Sequence, residues 1–332
     1  MDRKVTKMSR IGLTTTVPVE ILYAAGHIPV DLNNVFVTRS DNTRLVEEAE
    51  AAGYPRNICG WIKGLYTTVI EDRNIDEVIA VTQGDCSSTH ALMETYQLAG
   101  IKTVSFAYPA DRTHSQLKEQ FEKLITHYKT SWSAVARVKE RLDRVRSRVW
   151  EVDRLTWEEN RVSGWDNHIW QVNCSDFGGD IDLFTGQLEA ALGGFSTASP
   201  LTSPLRLGFI GVPPIWNDLY NYLETMGARV VYNEVQRQFS MPFETTDIID
   251  QYLLYTYPYG VFARIEDIER EVKRRRLDGI IHYVQSFCFR QIEDMILRAK
   301  LDIPIITVEG DKPGELDART KMRLDSFLEM LR

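Results

Sequence analysis

Residues 76–100 read DEVIAVTQGDCSSTHALMETYQLAG, and this stretch joins a predicted strand to a predicted helix. The run DEVIAVTQ (76–83) is short, apolar and rich in β-branched residues, which is typical of a buried strand, whereas THALMETYQLAG (89–100) has helical spacing. A Gly-Asp pair ends the strand, and Cys86 stands just before the helical pattern. The stretch therefore predicts a strand–loop–helix unit that carries a thiol at its turn.

The same unit recurs in the second half of the chain, where DGIIHYVQSFC (278–288) precedes the helical pattern FRQIEDMILRAK (289–300). In both copies an acidic residue starts a β-branched strand, and a glutamine and two further residues lead to a cysteine. Ligands of open α/β sheets bind in the crevice beyond the carboxyl ends of the strands. Each half is thus predicted to bring one cysteine, Cys86 or Cys288, to this edge, although no residue-by-residue repeat is found.

Strands and helices are predicted to alternate on both sides of a helical middle segment. The predicted strands are residues 28–37, 76–83, 101–109, 206–211, 228–235, 278–284 and 303–311. The predicted helices are residues 45–53, 61–71, 89–100, 217–227, 265–277 and 289–300, and a last helix begins near Asp317. Such alternation is typical of mainly parallel sheets with helices on their faces, so the predicted fold class is α/β.

The middle of the chain differs from both halves. Residues 115–160 have helical periodicity and high charge without proline or glycine, which predicts one or two long helices. A polar turn, NCSDFGGD (173–180), and another helix follow. The predicted organisation is an N-terminal α/β domain (1–112), a helical connector (113–198) and a C-terminal α/β domain (199–332).

Composition and charge restrict the class of protein. The 332 residues are 43% apolar and carry a net charge of −8, which indicates a globular protein and argues against nucleic-acid binding. The first ten residues, MDRKVTKMSR, lack the apolar core of a signal peptide, and no apolar run is long enough for a membrane span. We therefore expect a cytoplasmic protein without a membrane partner. Neither GxGxxG nor GxxxxGK[ST] occurs, so no nucleotide-binding signature is present.

The cysteines are the strongest sign of function. In a reducing compartment, four cysteines in a chain of this size are packing residues, ligands or nucleophiles rather than disulfides. Cys59, in RNICGWIKGLY, precedes a helical pattern as Cys86 and Cys288 do, and helix N-termini lower the pKa of a thiol. Three thiolates from separate loops would suit an iron–sulfur cluster or a tetrahedral zinc ion, with inert packing as the alternative. Cys174 lies outside the pattern and is either a fourth ligand or a packed thiol.

Several segments resemble one known family. They are TTTVPVEILYAAGHIPVDL (14–32), CGWIKG (59–64), QGDCSSTHALMET (83–95), SDFGGD (175–180), HYVQSFCFRQIED (282–294) and ITVEGDKPGELDARTKMRLDSFLEML (306–331). In these segments the chain resembles the 2-hydroxyacyl-CoA dehydratase family, specifically the D-component or beta subunit of 2-hydroxyglutaryl-CoA dehydratase. Benzoyl-CoA reductase subunits and double-cubane cluster proteins are relatives of that family. The resemblance implies two Rossmann- or flavodoxin-like parallel-sheet domains with the site between them.

The resemblance also implies a cofactor and a reaction. Family members hold a [4Fe–4S] cluster with three cysteines, which correspond here to Cys59, Cys86 and Cys288, and the fourth iron can take water or the thioester oxygen of the substrate. An ATP-hydrolysing iron–sulfur activator supplies one electron, the acyl-CoA substrate becomes a ketyl radical, and the 2-hydroxyl group leaves. The implied enzyme is a carbon–oxygen lyase whose partner is a homologous second subunit or a second copy of this chain.

Four further residues are candidates for the site. Glu20 could help to move a proton, or it is a carboxylate that is favoured at a helix N-terminus. His90 could donate a proton from the helix face of Cys86, or it is a satisfied buried histidine. Gln285 and Ser87 are candidates for binding the substrate, although Ser87 is most simply a helix cap.

Two other functions fit the same residues. A reductase on this scaffold would transfer electrons to a double bond, a ring or a small molecule without net dehydration. A non-catalytic protein would close two lobes over a ligand, and its cysteines would hold zinc or nothing. A double-cubane cluster is disfavoured because it needs more thiolates from one chain than the three good ligand candidates here.

Overall fold

The first half of the chain forms a parallel sheet with helices around it. In the computed structural model, which describes residues 8–332, this half consists of β1 (Arg10–Leu13), α1 (Val19–Ala24), β2 (Ile28–Asp31), α2 (Leu32–Thr38), α3 (Asn42–Ala51), α4 (Gly60–Glu71), β3 (Glu77–Gln83), α5 (Ser88–Leu98) and β4 (Thr103–Ala107). The prediction that the chain starts without a signal peptide falls largely on residues 1–7, outside the described residues.

The middle of the chain is helical, and a second α/β half follows it. The middle helices are α6 (His114–His127), α7 (Trp132–Trp157), α8 (Gly164–Val172) and α9 (Ile181–Thr197), with 3-10 turns at Asn173–Ser175 and Phe177–Gly179. The second half consists of β5 (Leu205–Gly211), α10 (Leu219–Thr225), β6 (Ala228–Asn233), α11 (Glu234–Phe239), α12 (Ile248–Leu254), α13 (Val261–Arg275), β7 (Gly279–Val284), α14 (Arg290–Lys300), β8 (Ile305–Glu309) and α15 (Ala318–Leu331). None of the helices within residues 8–332 combines the length and the apolar character that a membrane span needs.

Two four-stranded sheets form the framework, and their strands all run parallel. The first sheet has the order β2-β1-β3-β4, and the second has the order β6-β5-β7-β8. Both orders agree with the first four strands of the flavodoxin-like arrangement 2-1-3-4-5. The predicted α/β class with two parallel-sheet units is therefore confirmed.

The same pair of hydrogen bonds aligns the two central strands of each sheet, and the acidic residue that the sequence shows at the start of each repeated strand accepts one of them. The backbone N–H of Arg10 donates to the Asp76 carboxylate (3.0 Å), and that of Arg206 donates to the Asp278 carboxylate (2.7 Å). Each aspartate N–H donates in return to the carbonyl of its arginine, at 2.9 and 2.8 Å. The acidic residue at the start of each repeated strand thus joins that strand to its neighbour.

Two predicted strands are shorter than expected because a helix begins inside each. Residues 28–37 are predicted as one strand, but β2 ends at Asp31 and α2 follows at once. The Asp31 side chain accepts from the backbone N–H of Asn33 (2.9 Å), and this bond caps the new helix. Likewise β6 ends at Asn233, where α11 begins. Strand β1 and helix α12 have no counterpart among the predicted elements.

The middle helices pack firmly against both halves. Glu20 in α1 and Arg146 in α7 form a fully buried ion pair, with a guanidinium nitrogen 2.7 Å from the carboxylate. Asp153 in α7 forms a second buried pair with Arg275 at the end of α13 (2.5 Å). One apolar core contains residues from all three segments of the chain. The domain limits at residues 112 and 198 stay a prediction.

Candidate metal centre and its cavity

A cavity of about 600 Å³ lies at the carboxyl ends of both sheets. The segments that follow β1, β3, β5 and β7 line it, and they comprise residues 14–16, 85–86, 88–89, 212–217 and 285–290. Helices α2, α4 and α8 contribute further lining residues. The volume is typical of small-molecule sites, and the position is the one that ligands of parallel sheets occupy.

Three thiols line this cavity, and each comes from the start of a different helix. Cys59 immediately precedes α4, whereas Cys86 and Cys288 each stand two residues before α5 or α14. The last two lie in matching turns, because their carbonyls accept from the backbone N–H groups of Thr89 and Gln291, each at 3.0 Å. All three side chains are partly buried. The cavity thus collects the three cysteines predicted as ligands, while ligation itself stays a prediction.

The electrostatics of these thiols differ from the expectation. Burial raises the pKa of Cys59, and the neighbouring thiols of Cys86 and Cys288 raise it further. Burial is also the main cause that raises the pKa values of Cys86 and Cys288. Backbone N–H groups of the following helices lower each pKa, but they do not outweigh burial. The predicted lowering of each pKa by a helix N-terminus is therefore present, but burial outweighs it, and three thiolates here require a bound cation.

A single zinc ion needs its thiolate ligands closer together than a cluster of several irons does. One tetrahedral zinc ion, with Zn–S bonds of about 2.3 Å, holds thiolate sulfurs about 3.8 Å apart. Within residues 8–332, only the exposed His114, Asp247 and Asp250 bring three ligand atoms to within 4.8 Å of one another, and the three cysteines do not. A cluster of several irons holds its thiolates farther apart than one ion does. The three thiols are thus not arranged around one zinc ion, and a soft thiolate donor set is the kind that iron–sulfur clusters use.

The fourth cysteine lies apart from this group. Cys174 is buried in the apolar core, where its thiol approaches the carbonyl of Trp170 (3.5 Å). It is not among the residues that line the cavity. The alternative in which Cys174 is a fourth ligand is therefore not supported, and the cavity receives three thiols from this chain.

A sequence model of the family described as 2-hydroxyglutaryl-CoA dehydratase, D-component, matches residues 14–331. The chain belongs to this family. The matched region includes all three cysteines of the cavity, and the resemblance stated from the sequence is confirmed. No curated protein matches the chain.

Of the other candidate residues in this family member, Gln285 reaches the cavity. Its side chain is buried, its oxygen accepts from the backbone N–H of Trp61 (3.4 Å), and its amide donates to the Tyr283 hydroxyl (2.8 Å). Gln285 thus ties the β7–α14 loop to α4. Ser87 is exposed, makes no side-chain capping hydrogen bond and does not line the cavity, whereas Ser88 does line it.

His90 lies on the surface, away from the lining of the cavity. Its side chain is 61% exposed, and its ring stands 3.5 Å from the Glu94 carboxylate on the same helix. The prediction assumed helical spacing from Cys86, but α5 begins only at Ser88, so that spacing does not apply. His90 is therefore neither a residue of the cavity nor a buried histidine.

Glu20 is buried in the core and does not line the cavity. Its carboxylate pairs with Arg146 and accepts from the hydroxyl of Tyr252 (2.8 Å). Gln251 approaches the same carboxylate at 3.5 Å. The carboxylate therefore joins α1 to α7 and α12, and its surroundings favour the structural alternative over proton transfer.

Sequence reasoning missed an acidic and a basic residue beside the thiols. Asp85 and Arg290 both line the cavity. Burial raises the pKa of Asp85 to about 6, and Arg290 opposes this shift. Arg290 is buried, donates to the Tyr257 carbonyl (3.1 Å) and lies 4.6 Å from the centre of the Tyr257 ring. Their positions, one residue before Cys86 and two after Cys288, are the signal that could have found them.

Proposed function

We propose that this chain is the iron–sulfur subunit of a 2-hydroxyacyl-CoA dehydratase-like enzyme. Cys59, Cys86 and Cys288 hold a [4Fe–4S] cluster, and the cavity beside them receives the acyl group of the substrate. The observation that carries the proposal is that three thiols from three distant helix starts line one cavity. Family membership supports the reaction class, which is elimination of water by a carbon–oxygen lyase.

Residues around the three cysteines hold the Cys288 turn in place and exclude water from the cavity. When bound, the cluster would supply one-electron transfer and, at an iron without a fourth protein thiolate, Lewis acidity toward a carbonyl oxygen. Gln285 holds the turn of Cys288 against α4. Ile215, Trp216 and Phe239 are buried apolar residues in the cavity wall, so they exclude water and strengthen electrostatic interactions inside.

The proposal includes partners because one-electron activation needs a source of low-potential electrons. That source is an ATP-dependent iron–sulfur activator protein. A homologous second subunit, or a second copy of this chain, completes the enzyme. The same proposal places the enzyme in an oxygen-free cytoplasm.

A product assay tests the reaction class. Protein purified without oxygen, together with the homologous second subunit where that is a different chain, is mixed with the activator, ATP and a panel of 2-hydroxyacyl-CoA compounds. We expect an enoyl-CoA product without stoichiometric consumption of reductant, since dehydration returns the electron at the end of each turnover. Cys174→Ala should retain this activity, and Cys288→Ala should lose it.

Other outcomes of this assay contradict the proposal in different ways. Reductant consumed in proportion to product would indicate a reductase of the same family. No turnover, together with one bound zinc ion or no metal, would indicate a non-catalytic binding protein.

A further inference from the structure

We infer that His168 donates a hydrogen bond from Nε2 to an acceptor oxygen on the acyl group of the substrate. The inference rests on the proposed function, because it takes an acyl-CoA as the occupant of the cavity. It gives helix α8, which the sequence pattern did not connect with the site, a part in substrate recognition.

One face of α8 lines the cavity. Its lining residues, which continue one position past the helix, are Trp165, His168, Ile169, Val172 and Asn173. Spacings of three and four residues place these side chains on the same side of a helix. Trp165 stacks on the His168 ring with the ring centres 5.3 Å apart, and the Tyr220 ring lies 5.4 Å away. The position of the imidazole is therefore fixed by packing.

A buried chain of hydrogen bonds fixes the polarity of the groups behind this ring. It starts at Asp153, whose carboxylate is paired with Arg275 and can only accept. Asn167 donates from Nδ2 to this carboxylate (3.0 Å), so its Oδ1 accepts from Nδ2 of Asn233 (2.8 Å). Oδ1 of Asn233 then accepts from the Tyr220 hydroxyl (2.7 Å). At each step, the donor or acceptor role of one side chain determines which end of the next amide, or the hydroxyl hydrogen, must face it.

The chain of bonds ends at His168. Because the Tyr220 hydroxyl gives its hydrogen to Asn233, its oxygen accepts from Nε2 of Gln236 (3.4 Å). The same amide nitrogen donates to Nδ1 of His168 (3.0 Å). Nδ1 is therefore the unprotonated ring nitrogen, and Nε2 carries the hydrogen.

This Nε2–H group is available to a ligand. Within residues 8–332, Nε2 of His168 has no hydrogen-bond partner, and it is not among the unpaired nitrogens that are buried away from solvent. Burial lowers the pKa of His168 to about 3, so the ring stays neutral. The aromatic and hydrogen-bonded neighbours of the ring, Trp165, Tyr220 and Gln236, are uncharged as well.

The chemistry of this wall favours the acyl group over the phosphates of coenzyme A. Ile169 and Val172 place apolar side chains beside the imidazole on the same helix face. Phosphates are bound by cations, above all by arginine, whereas a neutral donor in an apolar wall suits a carbonyl, hydroxyl or carboxylate oxygen.

Binding measurements on the intact protein, purified without oxygen, test the assignment. The probes are 2-hydroxyglutaryl-CoA, glutaryl-CoA, which lacks the 2-hydroxyl, 2-hydroxyhexanoyl-CoA, which lacks the distal carboxylate, and free coenzyme A. His168→Phe keeps a ring against Trp165 and Tyr220 but has no N–H, and His168→Gln keeps an amide N–H of similar reach. We expect His168→Phe to weaken binding of 2-hydroxyglutaryl-CoA roughly 10-fold or more, because an oxygen of the substrate is left unpaired, and His168→Gln to recover most of this loss.

The analogues identify the accepting oxygen, and their results also include the outcomes that would overturn the assignment. If His168→Phe leaves the affinity for one analogue unchanged, the oxygen that this analogue lacks is the acceptor, and if it weakens binding of both analogues, the thioester carbonyl oxygen is the acceptor. Free coenzyme A should bind all proteins equally. Unchanged affinity for every acyl-CoA, or equal weakening for free coenzyme A, would overturn the assignment alone. Absence of acyl-CoA binding by the wild type would overturn the proposed function and this assignment with it.

Nitrogen NMR of the histidine-labelled wild type tests the tautomer without relying on a variant that folds. The chain has six histidines, and His168 should show the neutral Nε2–H form at neutral pH. An Nδ1–H tautomer or an imidazolium at this position would contradict the inference.

Discussion

Cys59 and Cys86 each lie close enough to Cys288 for its thiolate to raise their pKa values, in addition to the effect of burial. Without a cation the three thiolates would repel one another, so metal binding and deprotonation are coupled. Cys174 lies in the apolar core, and within residues 8–332 the causes that shift its pKa are burial, Arg146 and Asp176 rather than another thiol. At the residue scale, the surroundings of each thiol therefore separate the proposed ligands from a packing residue.

Glu20 gives a prediction at the same scale. Glu20→Gln should lower the free energy of unfolding by roughly 3–5 kcal/mol, because it leaves Arg146 buried without its main charge partner. Urea unfolding measures this loss. In the exposed pair of Arg148 and Glu189, which also involves α7, Glu189→Gln should cost less than about 1 kcal/mol. Equal losses of unfolding free energy in the two variants would contradict the claim that the buried pair contributes more to stability than the exposed one.

At the element scale, the first residue of α4 determines how closely this helix approaches the loop after β8. A Cβ atom at Gly60 would lie 2.2 Å from the carbonyl oxygen of Asp311, far below a normal contact. Only glycine fits without movement of one of these backbones. Since Cys59 immediately precedes Gly60, any movement of the helix start also moves a proposed ligand.

Gly60→Ala tests this coupling between backbone packing and the metal centre. The variant should bind less iron per chain than the wild type, because the Cys59 thiol is displaced, and metal analysis of protein purified without oxygen measures it. Gly193→Ala in α9 is the matched control, since nothing lies within 4 Å of its Cβ position. The control should keep its iron and gain roughly 0.5–1 kcal/mol of stability. A full iron content in Gly60→Ala would contradict the account.

Elements also show what the sequence can and cannot predict. The turns of Cys86 and Cys288 are predictable because strand, turn and helix start are encoded in one short segment. The partners of Glu20 and His168 are not, since Arg146 and Gln236 are 126 and 68 residues away in the chain. His90 was misplaced by an assumption about where one helix begins, and the β1 and α12 segments lacked a clear periodic pattern.

At the scale of the whole molecule, neither half contains the complete set of thiols. The first sheet and its helices carry Cys59 and Cys86, and the second carries Cys288, so the proposed centre exists only when both halves are folded together. The ion pairs of α7 with α1 and α13 hold the halves in this arrangement. A cluster bound between the halves would stabilise the folded state by mass action, because the unfolded chain does not present the three thiols together.

Iron and acid-labile sulfide per chain, measured on protein purified without oxygen, test the central claim most directly. We expect about four irons and four sulfides in the wild type and in Cys174→Ala, and loss of both in Cys59→Ala, Cys86→Ala and Cys288→Ala. One zinc ion or no metal in the wild type would contradict the account, as would unchanged iron and sulfide in the three cavity variants.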